Sequence, residues 1–452
     1  MNARLVALLL VLALVFSSCA LLDLFRERDD FIHARGTQLI HNGKPYYFAG
    51  TNAWYHGYLG SPGTLGDRPR LLNELDSLKS NGITNLRILA ASEESYIPWS
   101  VKPVIQQRPG VVNDSLLQGL DFVLSEMAKR HMHAVLYLNN YWEWSGGMVA
   151  YNVWSGKEPV DPMDSTKGWG AFMDFSASFY ANDAANMFYR NYLRMIIARR
   201  NSVNGRLYRE DPTIMSWQLA NEPRPGSVGE RSVANLPLFY RWIDQTALYI
   251  HSLDTNHMVS TGSEGSVGSL LSSEYFVTAH STPNINYLTV HLWPMNWGWF
   301  DPKRPTETLP QTETNALEYI SRHLALARKL NKPIVLEEFG IDRDKGEILP
   351  GTPTTVRDGY YAMVVRTLYD SALAGAPLAG YNFWAWGGNA RAIHRDGMWK
   401  PGDPFMGDPP HEPQGRNAIF VSDTSTVRII RENAAKFSRL GIIDTLRVSR
   451  IQ

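Results

Sequence analysis

The chain has 452 residues with 44% hydrophobic and 19% charged content, which excludes a disordered or fibrous class and supplies ample core-forming material. Its 44 basic side chains equal its 44 acidic ones, so no net field recruits nucleic acid or an anionic surface. Aromatic residues, at 12% with 14 Trp and 21 Tyr, are the unusual feature; they belong either to a large core or to a surface for flat ligands such as sugar rings.

From the N-terminus, residues 1–18 read as an export leader: Arg4 gives the positive start, residues 5–16 the apolar stretch, and Ser17 and Ser18 the small residues before Cys19. The apolar run is too short to span a bilayer as a helix. Phe16-Ser17-Ser18-Cys19 resembles a bacterial lipobox, which implies cleavage before Cys19 and acylation of that residue. Cys19 is the sole cysteine, so no internal disulfide is expected. Residues 19–30 read as a tether and residues 31–452 as one folded domain, held to a membrane on its periplasmic or cell-surface side.

Beyond the tether, strand-like and helix-like segments alternate. Strands are expected at residues 46–51, entered from the Asn42-Gly43 turn, and at 84–89, 134–138, 214–220, 257–261, 287–293, 332–340 and 378–386. Between them, Leu71, Leu72, Leu75 and Leu78 fall at helical spacing, and further helices are expected at residues 116–130, 183–200, 237–253, 312–330, 356–374 and 424–440. Eight strands alternating with about eight helices argue for α/β architecture as a (β/α)₈ TIM barrel. An open doubly wound sheet is the competitor, but no GxGxxG or phosphate loop follows any strand.

Long loops leave the C-terminal ends of strands at residues 139–182, 294–311 and 387–423, and they carry Trp142, Trp144, Trp154, Trp169, Trp297, Trp299 and Trp399. That end is where barrel enzymes place their sites. Two strands run from apolar residues straight into carboxylates there: residues 213–224 (TIMSWQLANEPR) reach Glu222, and residues 332–340 (KPIVLEEFG) reach Glu337 and Glu338. Two carboxyl groups on one rim are what glycosidic-bond hydrolysis requires. Strand alternation sends only one of Glu337 and Glu338 inward. Glu338 is the inward choice, and Glu337 is expected to face the helical layer with a salt-bridge partner.

Other polar residues sit at matching heights. Arg87, in an otherwise apolar strand, needs a carboxylate partner and is placed to keep Glu338 ionised. His291 and Trp293 share a face of the sixth strand, with His291 able to line a sugar site or donate to Glu222. Trp384 near the end of the eighth strand is a candidate platform under a sugar ring. His131 and His133 precede the third strand, at the opposite end, and read as structural; no third residue has metal-ligand spacing.

The stretches AGTNAWY (49–55), LYLNNYWEWSGG (136–147), SFYAND (178–183), WQLANEPRPG (217–226), VHLW (290–293), LEEFG (336–340) and YNFWAWGG (381–388) resemble glycoside hydrolase family 5, and within it the β-mannan-cleaving branch of β-mannanases and exo-β-mannosidases. The resemblance runs from about Phe31 to the C-terminus. It implies a retaining enzyme with Glu222 as acid/base, Glu338 as nucleophile, Asn221 on the sugar 2-hydroxyl, Arg87 behind the nucleophile, and His291 and Trp384 at the −1 subsite. Trp54, Asn140, Trp142, Trp144, Arg224 and Glu264 complete the substrate-binding candidates. Many members carry Tyr two residues after the strand-six His, where this chain has Trp293, so a hydroxyl contact to the nucleophile is expected to be missing. The loop at residues 387–415 is similar to one in exo-acting β-mannosidases that walls off the non-reducing side of the cleft.

Together these features lead to an expectation of β-1,4-mannosidic hydrolysis in mannan or mannooligosaccharides, from chain ends, by a monomer that needs neither metal nor organic cofactor and no nucleic-acid partner. Endo-mannanase action, a β-1,4-glucanase on the same fold, and a surface glycan-binding lipoprotein without cleavage are the competing readings.

Overall fold

The computed structural model describes residues 30–448, so the leader and Cys19 lie outside the described residues. Eight strands make the central sheet: β1 Phe48–Asn52, β2 Asn85–Leu89, β3 His133–Tyr137, β4 Ile214–Gln218, β5 Met258–Ser260, β6 Leu288–Leu292, β7 Ile334–Phe339 and β8 Leu378–Phe383. Neighbours pair in parallel in the order β5-β4-β3-β2-β1-β8-β7-β6. The seam between β5 and β6 is bridged by hydrogen bonds from Asn286 N to Val259 O (2.9 Å), from Val259 N to the Asn286 side-chain oxygen (2.7 Å) and from His291 N to Glu264 O (3.1 Å). The sheet is thereby a TIM barrel, as expected. Its strands are buried on both faces, which is why they read as near-continuous apolar runs.

The barrel helices are α1 Arg68–Ser80, α2 Asp114–Lys129, α3 Asp183–Ile197, α4 Glu230–Leu253, α5 Ser273–His280, α6 Pro305–Leu330, α7 Thr355–Leu373 and α8 Thr424–Val448. Side-chain caps fix where several begin: Asp67 accepts from Arg70 N, Asn113 from Ser115 N, Asn182 from Ala185 N and Ser272 from Tyr275 N. Helix α5 has no counterpart among the expected segments; it is two turns long and follows a Gly- and Ser-rich run that carries no helical periodicity. Helices α4 and α6 start seven residues before the expected positions and enclose Pro237 and Pro310. An interior proline forfeits one backbone bond, a local loss that the packing of a long buried face overrides.

Asn42 and Gly43, both at positive φ, turn a small antiparallel sheet (His33–Arg35, Gln38–His41, Lys44–Pro45) that closes the bottom of the barrel. Ile32 and Leu39 from this segment pack with Phe48, Val135, Met215, Met258 and Val335. The barrel interior thus has an apolar floor. Above it the inward side chains turn polar, with Asn52, Arg87, Gln218 and Glu337 all fully buried. His133 belongs to the floor end, where its ring packs edge-on against His41 and Tyr46 and Nδ1 lies 3.2 Å from Pro212 O.

Candidate active site

Strand β4 ends at Gln218, and the chain continues through Leu219 and Ala220 to Glu222, whose amide donates to Gly262 O at 2.9 Å. Glu222 sits at φ 50°, the left-handed region that a non-glycine residue occupies only where its surroundings enforce it. This turn aims the carboxylate over the barrel mouth. Both of its oxygens are held by donors: His291 Nδ1 lies 2.6 Å from Oε1, and Trp142 Nε1 donates to Oε2 at 2.6 Å.

On β7 the structure corrects the expectation for Glu337. Val290 of β6 pairs with Leu336, and His291 pairs with Glu338, so Glu337 is an extra residue in the ladder. A bulge of this kind breaks the in–out alternation. Glu337 therefore points into the barrel and not toward the helices. Its carboxylate accepts from Gln218 Nε2 at 2.6 and 2.7 Å, and it lies 3.3 Å from Arg87 Nε and 3.6 Å from His291 Nε2. Glu338 stands above it. Arg87 Nη1 donates to one Glu338 oxygen, and Trp293 Nε1 donates to the other at 3.1 Å. The indole N–H of Trp293 thus occupies the place where a tyrosine hydroxyl contact was expected to be lost.

Arg87 ties the layer together. Its Nε donates to Gln218 Oε1 at 2.8 Å, its Nη1 to Asn52 Oδ1 at 3.2 Å and its Nη2 to Asn221 Oδ1 at 2.8 Å. Facing oxygens of Glu222 and Glu338 and a ring nitrogen of His291 lie within 4.8 Å of one another. These are the one set among the described residues close enough to ligate a cation together. Donors already point at both carboxylates from Arg87, Trp142, His291 and Trp293, so the set favours proton sharing over metal binding.

Charge balance decides the protonation. Arg87 and a charged His291 face three carboxyl groups, Glu222, Glu337 and Glu338, all buried. A buried cluster with one surplus negative charge is costly, so one proton stays among the carboxyls. Burial alone would lower His291, but the charge of Glu338 and the bonds to Glu222 and Glu337 raise it to about 10. For Glu338, burial and repulsion from the other two carboxylates outweigh the attraction of His291 and Arg87 and raise it to about 7. Burial pushes Glu222 the same way, yet the bond and charge of His291, the charge of Arg224 and the Trp142 N–H bring it below the ordinary carboxylate range. The cluster thus holds its shared proton on the Glu338 side.

Above this cluster opens a cavity of about 380 Å³. The loop over residues 139–182 supplies Trp142, Glu143, Trp144 and Trp169 to its wall, and the loop over residues 387–423 supplies Pro409, His411 and Glu412. Trp293, Trp384 and Asn221 also line it, with Trp384 edge-on to Trp293 at 5.8 Å. Arg224 and Glu264 face it as a two-pronged ion pair at 2.5 and 2.6 Å, and Arg224 lies over the Trp142 ring at 4.9 Å.

Three expected sugar contacts lie beneath the wall, and the first of them, His291, is fully buried against Glu222, Glu337 and Glu338. Trp54 is 1% exposed, packs on Trp144 and Phe405 and donates to Gly407 O at 2.9 Å, so it supports the loops and does not line the cavity. Asn140 is fully buried and accepts from Asn221 Nδ2 at 3.2 Å and from Trp142 N at 3.0 Å, a positioning role for both. Sequence reasoning missed Glu337, Gln218 and Asn52 as parts of the charged layer. A polar residue in an otherwise apolar strand, the signal that singled out Arg87, marks Gln218 and Asn52 as well.

A profile described as a glycoside hydrolase family 5 β-mannosidase-like family matches residues 29–441. A mannan endo-1,4-β-mannosidase 1 from Oryza sativa subsp. japonica is 30% identical over 372 residues, covering 78% of each chain. A mannan endo-1,4-β-mannosidase 1 from Arabidopsis thaliana is 28% identical over 381 residues, 81% of this chain and 84% of the relative. Among solved structures, a glycoside hydrolase family 5 mannosidase from Rhizomucor miehei superposes with a TM-score of 0.82 at 34% identity, covering 92% of this chain and 99% of that one. With its fold, its facing carboxyl pair and this match over nearly its whole length, the chain belongs to the β-mannosidase-like glycoside hydrolases of family 5.

Proposed function

We propose that the protein is a retaining glycoside hydrolase of β-1,4-mannosidic bonds that acts on the ends of mannan and mannooligosaccharide chains. One observation carries the reading: facing oxygens of Glu222 and Glu338 within 4.8 Å, the close approach of retaining enzymes, which place their carboxyls about 5–5.5 Å apart. Relatives named as mannan endo-1,4-β-mannosidases and as a family 5 mannosidase support the substrate class.

In the first step Glu338 attacks the anomeric carbon as the bond to the leaving oxygen breaks, and Glu222 gives that oxygen its proton. In the second, Glu222 takes a proton from water, and the oxygen of that water displaces Glu338 from the sugar. Glu338 must shed the shared proton for attack, and Glu222 must hold it. His291 Nδ1, 2.6 Å from Glu222 and 3.4 Å from Glu338, is placed to pass it across. Arg87 and Trp293 then hold the Glu338 carboxylate, and Asn221, held by Arg87 and Asn140, offers the second N–H of its Nδ2 to the sugar 2-hydroxyl. No step calls on a metal.

The end-acting reading rests on the loop over residues 387–415, whose Pro409, His411 and Glu412 line the cavity, with the His411 ring stacked beside Trp144 at 6.4 Å. The names of the plant relatives favour internal cleavage instead. A product time course on mannohexaose tests this: free mannose from the first minutes is expected, and early internal fragments without mannose would replace exo action with endo action. We also propose export and lipid anchoring through Cys19, supported by the apolar leader and the Phe16-Ser17-Ser18-Cys19 sequence. Radiolabelled palmitate should enter the wild-type protein and not Cys19→Ser; labelling of both would overturn it.

A further inference from the structure

Of the buried carboxyl groups outside the catalytic layer, Glu93 holds the part of the structure nearest to the chemistry. It is fully buried, in the loop between β2 and α2, and it does not line the catalytic cavity. Its carboxylate accepts from Gly147 N at 2.9 Å and from Gln106 Nε2 at 3.0 Å, and its own amide donates to Ser145 O at 2.9 Å. Gly146 and Gly147, both at positive φ, permit this close approach: a Cβ on Gly146 would collide with Glu93 O, and one on Gly147 with Asn140 O. The same loop adds a bond from Val101 N to Trp144 O at 2.7 Å and one from Trp99 Nε1 to Glu143 Oε1 at 3.1 Å. Two loops that leave neighbouring strands are thus clasped at residues 143–147.

The clasped turn is bonded to the segment that handles Glu222. Met148 N donates to Asn140 O at 2.8 Å and Asn140 Nδ2 to Ser145 Oγ at 3.0 Å, which ties the turn to Asn140. Asn140 Oδ1 in turn accepts from Trp142 N at 3.0 Å and from Asn221 Nδ2 at 3.2 Å. Trp142 then reaches Glu222 Oε2 with its indole N–H at 2.6 Å. The charged groups around Glu222 are His291, Glu338, Glu264, Arg224 and Arg87, and Glu93 bonds to none of them. The path from Glu93 to Glu222 therefore runs through the turn and Trp142.

We propose that Glu93 is a positioning residue: by clasping residues 145–147 it holds the Trp142 indole N–H on Glu222, and so sets how readily Glu222 gives up its proton. The proposal rests on the reading of Glu222 as acid/base. A donor aimed at a carboxyl group favours its ionised form. With Trp142 in place Glu222 is the stronger acid and the readier donor to the leaving oxygen. With the indole displaced, Glu222 keeps its proton to higher pH and yields it more slowly.

Nitrogen-15 labelling of the indoles tests this in the full chain, with Trp142→Phe identifying the Trp142 N–H signal by its loss. In the wild type that signal should lie downfield, as for a donor to a carboxylate, and move as Glu222 titrates. Glu93→Ala should shift it upfield, to the range of unbonded indoles. Glu93→Asp, which keeps a carboxyl and shortens its reach, should shift it in part, and it carries the test if Glu93→Ala does not fold. Glu93→Gln should match wild type: its carboxamide oxygen still accepts from Gly147 N, and Gln106 can turn its own amide to accept from the new N–H. On mannotriose, the basic limb of kcat/KM should move up by about one pH unit in Trp142→Phe and by about half a unit in Glu93→Ala, the scale of one lost bond to a charged group. An unmoved indole signal or an unmoved limb in the folded Ala or Asp variant, or an upfield signal in Glu93→Gln, overturns the proposal. Wild type that hydrolyses no mannoside refutes the proposed function instead, and the indole signal still decides whether Glu93 holds Trp142.

Discussion

At the scale of single residues, two indoles and a histidine control the two carboxylates on which the chemistry depends. Trp293→Phe keeps the ring and removes the donor 3.1 Å from Glu338. Loss of one bond to a charged group predicts a fall in kcat/KM of about 10- to 100-fold, with the fold unchanged. Steady-state kinetics on mannotriose check this, and a change below twofold would show that Arg87 alone holds the nucleophile. Glu338→Gln should lower kcat by about 10⁴-fold or more. The same change should raise thermal stability at pH 8 more than at pH 5. The sign follows from the raised pKa: Glu338 stabilises the fold while protonated, and that contribution fades as pH rises through about 7. Differential scanning calorimetry at the two pH values measures it, and a variant less stable than wild type at pH 8 contradicts the charge balance.

Most of this layer is legible in the sequence because a rim residue announces itself where an apolar strand meets a polar loop, as at Glu222 and Glu338. Glu337 is the exception. Its inward aim depends on a one-residue bulge against β6, and a ladder defect leaves no trace in the periodicity of either strand. Trp54 and Asn140 were expected at the right end of the barrel but one layer too high. Residue pattern reveals which end a side chain occupies more readily than its depth beneath a folded loop.

At the scale of elements, the loop over residues 387–423 is organised by one buried carboxyl. Asp408 accepts from the amides of Gly415, Asn417 and Ala418 at 2.8, 2.9 and 3.2 Å. It precedes Pro409, His411 and Glu412 on the cavity wall. Asp408→Ala leaves those amides without an acceptor and should destabilise the protein by about 2–4 kcal/mol. It should also raise KM for short mannooligosaccharides more than it lowers kcat. Denaturant titration and kinetics test the two parts, and an unchanged KM would separate this loop from substrate binding. Such loops are visible in the sequence as long, Trp-bearing interruptions in the strand–helix alternation. Their internal helices, Gly147–Trp154 and Gly168–Ala177, are not, because contacts between loops and not helical patterning hold them. The eight strands are the most legible elements, since burial on both faces leaves an apolar run of the right length.

At the scale of the whole molecule, buried ionisable groups shape stability against pH from two sides. His133, His280 and His323 are lowered to about 4 by burial, so each favours the folded state increasingly as pH rises from about 4 to 6.5. Glu93, Glu338 and Asp408 are raised to about 7, chiefly by burial, and their stabilising contribution is lost as pH rises through that value. Stability should therefore peak between about pH 5 and 6, where the two opposing slopes cancel, and decline toward pH 8, before Lys332, lowered to about 8, begins to oppose the trend. A calorimetric series in buffers of matched ionic strength checks the shape, and a melting temperature still climbing from pH 7 to 8 would contradict it.

The barrel brings β4 and β7 together at one mouth, and the claim that depends most on this is double displacement by Glu338 and Glu222. Proton NMR of the anomeric signals in the first moments of mannotriose hydrolysis tests it most directly. Double displacement predicts that the newly formed reducing end appears as the β-anomer and reaches the equilibrium mixture only by later mutarotation. Initial appearance of the α-anomer would mean single displacement by water, and Glu338 would not be the nucleophile.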